Sequence, residues 1–297
     1  MRIVSFRTDN GDGYGVRTAD GVVDLSAKHT LFEFLAMSPP VMASAVRRAS
    51  GASAAALAFE SLDLLPVVPR PGKFICLGLN YIEHAKEGGH HDLPSYPTLF
   101  MRGPTSLAAA GAPIMRPSIS DTLDYEAELA VVIGKRGKAI TEAGALVHVA
   151  GYTLFNDATI REYQRITTQW TPGKNFDSTG AFGPELVTPD ELPPGATGLR
   201  IQSRLNGKVL QDGNTADMLF SVARAIHLIS RVMTLEPGDV IATGTPAGVG
   251  HARKPPLWMR DGDVCEIEIE GIGILRNPIV DEAGAISPAR TSAGGLR

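Results

Sequence analysis

The sequence predicts an α+β protein, mostly β, in which a small N-terminal α/β domain precedes a larger domain of catalytic size. Three observations carry this expectation. The 297 residues include 32 Gly and 21 Pro, about 18% together against a usual ~12%, which suits short strands joined by turns and excludes a helical bundle or coiled coil. Cys265, Ile267 and Ile269 alternate with Glu266, Glu268 and Glu270, the period of two of a half-buried strand. Pro66, Pro69 and Pro71 make a stiff, extended connector. That connector divides the chain into an N-terminal domain over 1–68 and a catalytic domain over 69–285, with 286–297 as a C-terminal tail.

Taken in order, the first ~25 residues alternate apolar runs with Gly and Asp (RIVSF, DNGDGYGV, DGVVDL), the pattern of a small antiparallel hairpin unit. Residues 31–64 are Ala-rich and predict helix. KFICLGL reads as a short buried strand, LDYEAELAVVIGK has a strand core at Ala127–Ile133, and VAGYTLFND gives another strand. Between Thr215 and Met233, apolar residues at 219, 222, 226, 229 and 233 recur at spacings of three and four, so an amphipathic helix is expected. A Pro-Gly turn then leads into strand DVIAT and a Gly-rich loop. The Gly271-Ile272-Gly273 turn should fold the last strand back on its predecessor.

Net charge is −4, from 28 Lys and Arg against 32 Asp and Glu, which supplies no global attraction to nucleic acid or to an anionic membrane. The two cysteines, Cys76 and Cys265, lie in separate apolar segments and read as buried free thiols rather than a disulfide framework. The N-terminus turns polar after six residues, too early for a secretory signal, and no run approaches the ~18 apolar residues of a membrane span. A cytoplasmic protein is expected.

Glu126 and Glu128 stand two apart in an otherwise apolar segment, so on a strand both carboxylates share one face. A solvated strand face would explain such a pair, as it explains CEIEIE. Asp157, however, ends an apolar strand where a third carboxylate has no packing reason to be. Three carboxylates from neighbouring strands suit a hard divalent ion, Mg²⁺ or Mn²⁺. His84 and Glu87 share one face of a helical turn, so the carboxylate can orient the imidazole as a general base; an isolated pair of this spacing also occurs on plain surface helices. The adjacent His90 and His91 lack ligand spacing and read as loop residues. If a helix begins near Asp157, Arg161 and Gln164 line its face and could pair with a substrate carboxylate and carbonyl. Lys174 sits among Pro, Gly and aromatics, an unusual setting for a merely solubilising lysine. The loop GTPAGVG lacks both Walker A and dinucleotide spacing, although its N–H groups and the Thr245 hydroxyl could still meet an anion.

Together these segments resemble the fumarylacetoacetate hydrolase family, specifically its smaller prokaryotic-type, acylpyruvase-like members. The matching strings are PGKFICLGLNYIEHAKE, PTLFMRGPTSL, LDYEAELAVVIGK, GYTLFNDATIREYQ, PGKNFDSTGAFGP, LNGKVLQDGNTADMLFS and PGDVIATGTPAGVG, in the family's order over roughly residues 70–280. The resemblance implies a rolled mixed β-sheet catalytic domain, a homodimer, and Mg²⁺ or Mn²⁺ on Glu126, Glu128 and Asp157. It further implies a water-activating dyad of His84 and Glu87 on a lid, and substrate contacts from Arg161, Gln164, Lys174 and Thr245.

The activity implied is hydrolysis of the C–C bond of a 2,4-dioxo acid, such as acetylpyruvate or fumarylpyruvate, to a carboxylic acid and pyruvate, with Lys174 stabilising the departing enolate. The alternative keeps the metal and changes the reaction to decarboxylation or isomerisation of a 2-oxo dicarboxylic acid, either oxaloacetate or an aromatic ring-cleavage product. A non-catalytic binding protein on the same scaffold is the third reading. Arg102 and Arg165 are expected to take a second substrate carboxylate. The N-terminal domain, the lid and the segments 101–103 and 167–170 are expected to line the acyl pocket.

Overall fold

The computed structural model describes residues 1–50, 56–89 and 94–283. His90, His91, part of the Ala-rich stretch and the expected tail 286–297 lie outside these. The principal sheet runs in the order Gly21–Asp24, Gly11–Thr18, Arg2–Thr8, Gly180–Val187, Val149–Asp157, Ala127–Ile133, Val240–Ala242, Phe74–Gly78 and Thr98–Met101, with the two-residue strand Leu107–Ala108 also pairing to Gly180–Val187. Most pairings are antiparallel, and Val240–Ala242 runs parallel to Phe74–Gly78, so the sheet is mixed. A second sheet of five strands is ordered Lys208–Asn214, Arg200–Leu205, Val264–Ile269, Gly273–Asp281 and Ile114–Arg116.

The central strands Val149–Asp157 and Ala127–Ile133 are buried at every residue, because the principal sheet is covered on both faces. One face carries Leu129, Val131 and Ile133 into a core shared with Ile201, Ile267 and Ile269 of the second sheet and with Ile226 and Ile229 of helix Val222–Val232. The other carries Ala130 and Val132 against Phe34, Leu35, Met42 and Ala45. Those four belong to helices Leu31–Leu35 and Pro39–Ser50, and strand Arg2–Thr8 pairs with Gly180–Val187. The N-terminal region thus shares a sheet and an apolar cluster with the larger, C-terminal part of the chain.

Several expected elements begin later or break earlier than periodicity alone implies. The helix expected from Thr215 starts at Val222, because the Ser221 hydroxyl accepts the Arg224 N–H and caps it; Thr215–Asp217 forms a separate 3₁₀ turn capped by Asn214. The Ala-rich stretch divides into short helices. Thr30 and Glu33 form a reciprocal capping box at the first of these. Strand Val264–Ile269 keeps its predicted alternation, with the cysteine and isoleucines buried and Glu266 and Glu268 half-exposed. Both cysteines are buried free thiols, and burial pushes the Cys265 thiol up to about 12.

Candidate active site

Strand register creates the acidic cluster. Phe155 lies opposite Glu128 and Asn156 opposite Ala127, which carries Asp157 to the end of its strand beside Glu126, whose carbonyl accepts the Asp157 N–H at 2.9 Å. Residues paired across antiparallel strands point to one side, and so do residues two apart. Glu126, Glu128 and Asp157 therefore occupy the face that continues into Ala130 and Val132. Each offers an oxygen within 4.8 Å of the others, and all three are buried. A solvated strand face is thereby excluded. Asp157 belongs to the strand rather than to a helix start; the helical turn is Arg161–Gln164, which still turns Arg161 and Gln164 toward the same cavity.

Buried charges surround the cluster. Lys174 Nζ donates to Glu126 Oε2 at 2.7 Å and Asp157 Oδ2 at 2.5 Å, and stands 5.0 Å from the centre of the Phe100 ring. Arg161 pairs with Glu126 Oε1 at 2.7 Å and, through Nε, with Asp124 Oδ2 at 2.8 Å. Glu128 has no cationic partner among the described residues; it accepts the Gly244 N–H at 2.9 Å. Four buried carboxylates (Asp124, Glu126, Glu128, Asp157) thus face three buried cations (Arg102, Arg161, Lys174). Burial opposes ionisation of Glu126, yet the charges of Lys174 and Arg161 outweigh it and hold its carboxyl below the usual range. At Glu128, burial and the charges of Asp157 and Glu126 act together and push the carboxyl well above it. This donor set fits a hard divalent ion: three clustered carboxylates, one of them lacking a counter-charge.

The cavity beside the cluster has a volume of about 390 Å³. His84, Glu126, Glu128, Asp157, Arg161, Gln164, Lys174 and Thr245 all line it, so the structure brings together nearly every residue singled out in the sequence. His84 comes from helix Ile82–Glu87, and its Nδ1 lies 2.8 Å from Glu87 Oε1. Asn80 fixes the entry to that helix: its buried side chain donates to the Phe220 and Thr243 carbonyls and accepts the Phe220 N–H.

Arg102 behaves differently from expectation. Its side chain is fully buried behind Asp157, bonded to Asp157 Oδ1 at 2.6 Å, the Ala158 carbonyl at 2.5 Å and Thr179, and it does not line the cavity. It positions a carboxylate of the cluster, leaving Arg165, exposed at the rim and in no ion pair among the described residues, as the arginine that faces the opening. Of the other segments expected to line the pocket, Trp170 does so, whereas no described residue of 1–68 does.

The Gly-rich loop spends its N–H groups on the protein's own carboxylates. Gly244 donates to Glu128, Gly248 to both oxygens of Glu87 at 2.9 and 3.1 Å, and Gly250 to Asp124 at 2.7 Å. Asp124 and the cavity-lining His251 were not legible as site residues. Asp124 stands two before Glu126 on the same strand period, a usable signal, whereas His251 follows the loop with none.

Trp170 packs on Gly78 so closely that a Cβ at that glycine would stand 2.1 Å from the indole ring. Gly78→Ala is expected to displace the ring from the cavity wall, costing about 1–3 kcal/mol and shifting indole emission to the red. Unfolding and fluorescence in a Trp258→Phe background check this; unchanged emission would show that the ring keeps its place.

Residues 73–280 match the family model of the fumarylacetoacetate (FAA) hydrolase C-terminal domain. The chain is 39% identical over 291 residues to human mitochondrial oxaloacetate tautomerase FAHD2A, covering 94% of this chain and 92% of that protein. Among solved structures, fumarylacetoacetate hydrolase from Exiguobacterium antarcticum superposes with a TM-score of 0.78 at 35% identity, covering 95% of this chain and 100% of that one. The 5-carboxymethyl-2-hydroxymuconate delta-isomerase of Mycobacterium smegmatis gives 0.76 at 31%, with the same coverage. The acidic face, the cavity and these matches coincide on one stretch of sequence, and the chain belongs to the fumarylacetoacetate hydrolase family.

Proposed function

We propose that this protein is a divalent-metal-dependent tautomerase or isomerase of 2-oxo dicarboxylic acids, moving a proton between carbon 3 and the oxygen on carbon 2 of an oxaloacetate-type substrate. The observation that carries this reading is the setting of His84. Its Nδ1 is engaged by Glu87, which leaves Nε2 as the proton-transfer atom, and the imidazole faces the cavity that holds the carboxylate cluster. Of the relatives that span nearly the whole chain, the oxaloacetate tautomerase and the delta-isomerase support a proton shift and the fumarylacetoacetate hydrolase supports C–C cleavage. The tautomerase is the most similar in sequence of these three, so the alternative drawn from the sequence takes precedence over its hydrolase reading.

Glu126, Glu128 and Asp157 would hold Mg²⁺ or Mn²⁺, which when bound polarises a 2-oxo group and offsets negative charge on its oxygen. Gln164, with its carbonyl accepting from Arg161 Nη1 at 3.0 Å, turns its amide donors free for a substrate oxygen. Arg165 at the rim binds the distal carboxylate. Thr245 lines the wall with its hydroxyl accepting from Gln211 at 2.7 Å, so its own O–H is available to substrate. Trp170 and Phe100 supply apolar wall to the cavity.

A second reading rests on the same dyad, because an imidazole held by a carboxylate can equally take a proton from water. Hydrolysis of acylpyruvates would follow, with Lys174 beside the departing enolate. One assay separates the readings: freshly dissolved enol oxaloacetate, acetylpyruvate and fumarylpyruvate, each with Mg²⁺, Mn²⁺ or EDTA. The expected result is metal-dependent decay of enol absorbance with no change of mass. Pyruvate and free acid in equal amounts from the acylpyruvates, with oxaloacetate untouched, would establish the hydrolase instead. Pyruvate and CO₂ from oxaloacetate would establish a decarboxylase.

A further inference from the structure

We propose that His251, oriented by the buried carboxylate of Asp124, is a second proton-transfer residue of this cavity and works with His84 in the proton shift. The inference rests on the tautomerase reading and deepens it. His251 lines the same cavity as His84, and its Nδ1 stands 3.4 Å from Asp124 Oδ2. That contact is long and poorly aligned for a full hydrogen bond, and neither ring nitrogen has another partner among the described residues. Contacts between catalytic groups are often loose before substrate arrives and tighten around it.

A purely structural role for the ring does not account for these contacts. The loop is fastened to Asp124 through backbone: Gly250 N–H donates to Oδ1 at 2.7 Å and His251 N–H to Oδ2 at 3.0 Å. Gly250 sits flush against its surroundings, since a Cβ there would meet the Leu257 carbonyl at 1.9 Å and Asp124 Oδ1 at 2.5 Å. With the backbone anchored in this way, the imidazole is not required to hold the loop, and its side chain, 13% exposed, borders the cavity.

One loop sets both imidazole–carboxylate pairs. Two residues before Gly250, the Gly248 N–H donates to both oxygens of Glu87, the carboxylate that engages His84. Asp124 also accepts from Arg161 Nε at 2.8 Å, so the carboxylate that orients His251 also fixes an arginine of the site. A proton shift removes a proton at one atom and supplies one at another, and two imidazoles on one cavity can do both without a single group moving between the two atoms. In the keto-to-enol direction, one neutral imidazole takes the proton from carbon 3. The C–H electron pair becomes the new C2=C3 bond, and the carbonyl π pair moves to oxygen. The second imidazole, as imidazolium, gives that oxygen its proton. Between turnovers the protonated ring gives its proton to solvent water and the neutral ring takes one up, which restores both starting forms with no oxidant, reductant or net water consumed.

The test uses the full chain with Mn²⁺ and the variants His251→Ala and His251→Asn, assayed for ketonisation of enol oxaloacetate. In both variants kcat is expected to fall on the order of a hundredfold, with KM within about threefold of wild type. Added imidazole should restore a large part of the lost rate in His251→Ala, while Mn²⁺ affinity and Tm stay at wild-type values. Unchanged kcat, a rise in KM alone, or a loss of kcat that tracks a fall in Tm and resists imidazole would each overturn the inference while leaving the tautomerase reading in place. A wild-type protein inert toward the enol overturns both.

Discussion

Replacing Glu128 by glutamine is expected to lower Mn²⁺ affinity by about a hundredfold or more while leaving the metal-free protein as stable as wild type, or more so. The two effects share one cause. Glu128 is a buried carboxylate whose neighbours, Asp157 and Glu126, are negative; the Lys174 that pairs with both of them forms no ion pair with Glu128, and its charge does not outweigh theirs. Glutamine keeps an oxygen for the Gly244 N–H and is neutral without taking up a proton, whereas the buried carboxyl must either bind a proton or add a fourth negative charge to three cations. Relief of that cost is worth about 1–3 kcal/mol at neutral pH. Denaturant unfolding in EDTA, beside a Mn²⁺ titration, reads both quantities. A Glu128→Gln protein clearly less stable than wild type in EDTA, or one that binds Mn²⁺ normally, would show that Glu128 does not hold the ion.

Lys174→Met is expected to act with the opposite sign on stability. The ammonium lies between Glu126 and Asp157, is itself 2% exposed, and is held in its charged form by those carboxylates although burial opposes this. Methionine keeps the apolar stem but leaves the two carboxylates short of a cation. Breaking a buried pair from one side costs about 3–5 kcal/mol. Mn²⁺, by binding the folded state alone, should recover part of that loss. Turnover should disappear, because the residue also lines the cavity. The check is unfolding with EDTA and with saturating Mn²⁺. Equal stability of variant and wild type in EDTA would mean that the carboxylates are neutralised in some other way, and the charge inventory offered for the site would be wrong.

Much of the strand framework was legible because side-chain alternation is a local property. Ala127–Ile133, Val149–Asp157 and the Glu-alternating Val264–Ile269 follow directly from periodicity and flanking turns. Helix boundaries were less legible: a single hydroxyl at Ser221 moves the start of Val222–Val232 past residues whose apolar spacing already fitted a helix. The acidic cluster could be anticipated because a carboxylate ending an apolar strand conflicts with local packing. Arg102 could not be placed, since nothing local distinguishes an arginine that reaches a substrate from one whose donors are taken by Asp157, Ala158 and Thr179.

By itself the sequence determined the mixed, mostly β character, the three carboxylates, the His84–Glu87 pair and the family, since each is written in short-range spacing or in ordered motifs. Only the tertiary structure decided that Glu128 lacks a counter-charge, that Arg102 stands behind Asp157, and that His251 shares a cavity with His84 although 167 residues separate them in the chain. The reason is physical. Periodicity reports which face of an element is buried, whereas charge compensation and proton transfer depend on distances of a few ångströms between groups far apart in sequence. Strand register, the capping of turns and the docking of the Gly-rich loop set those distances.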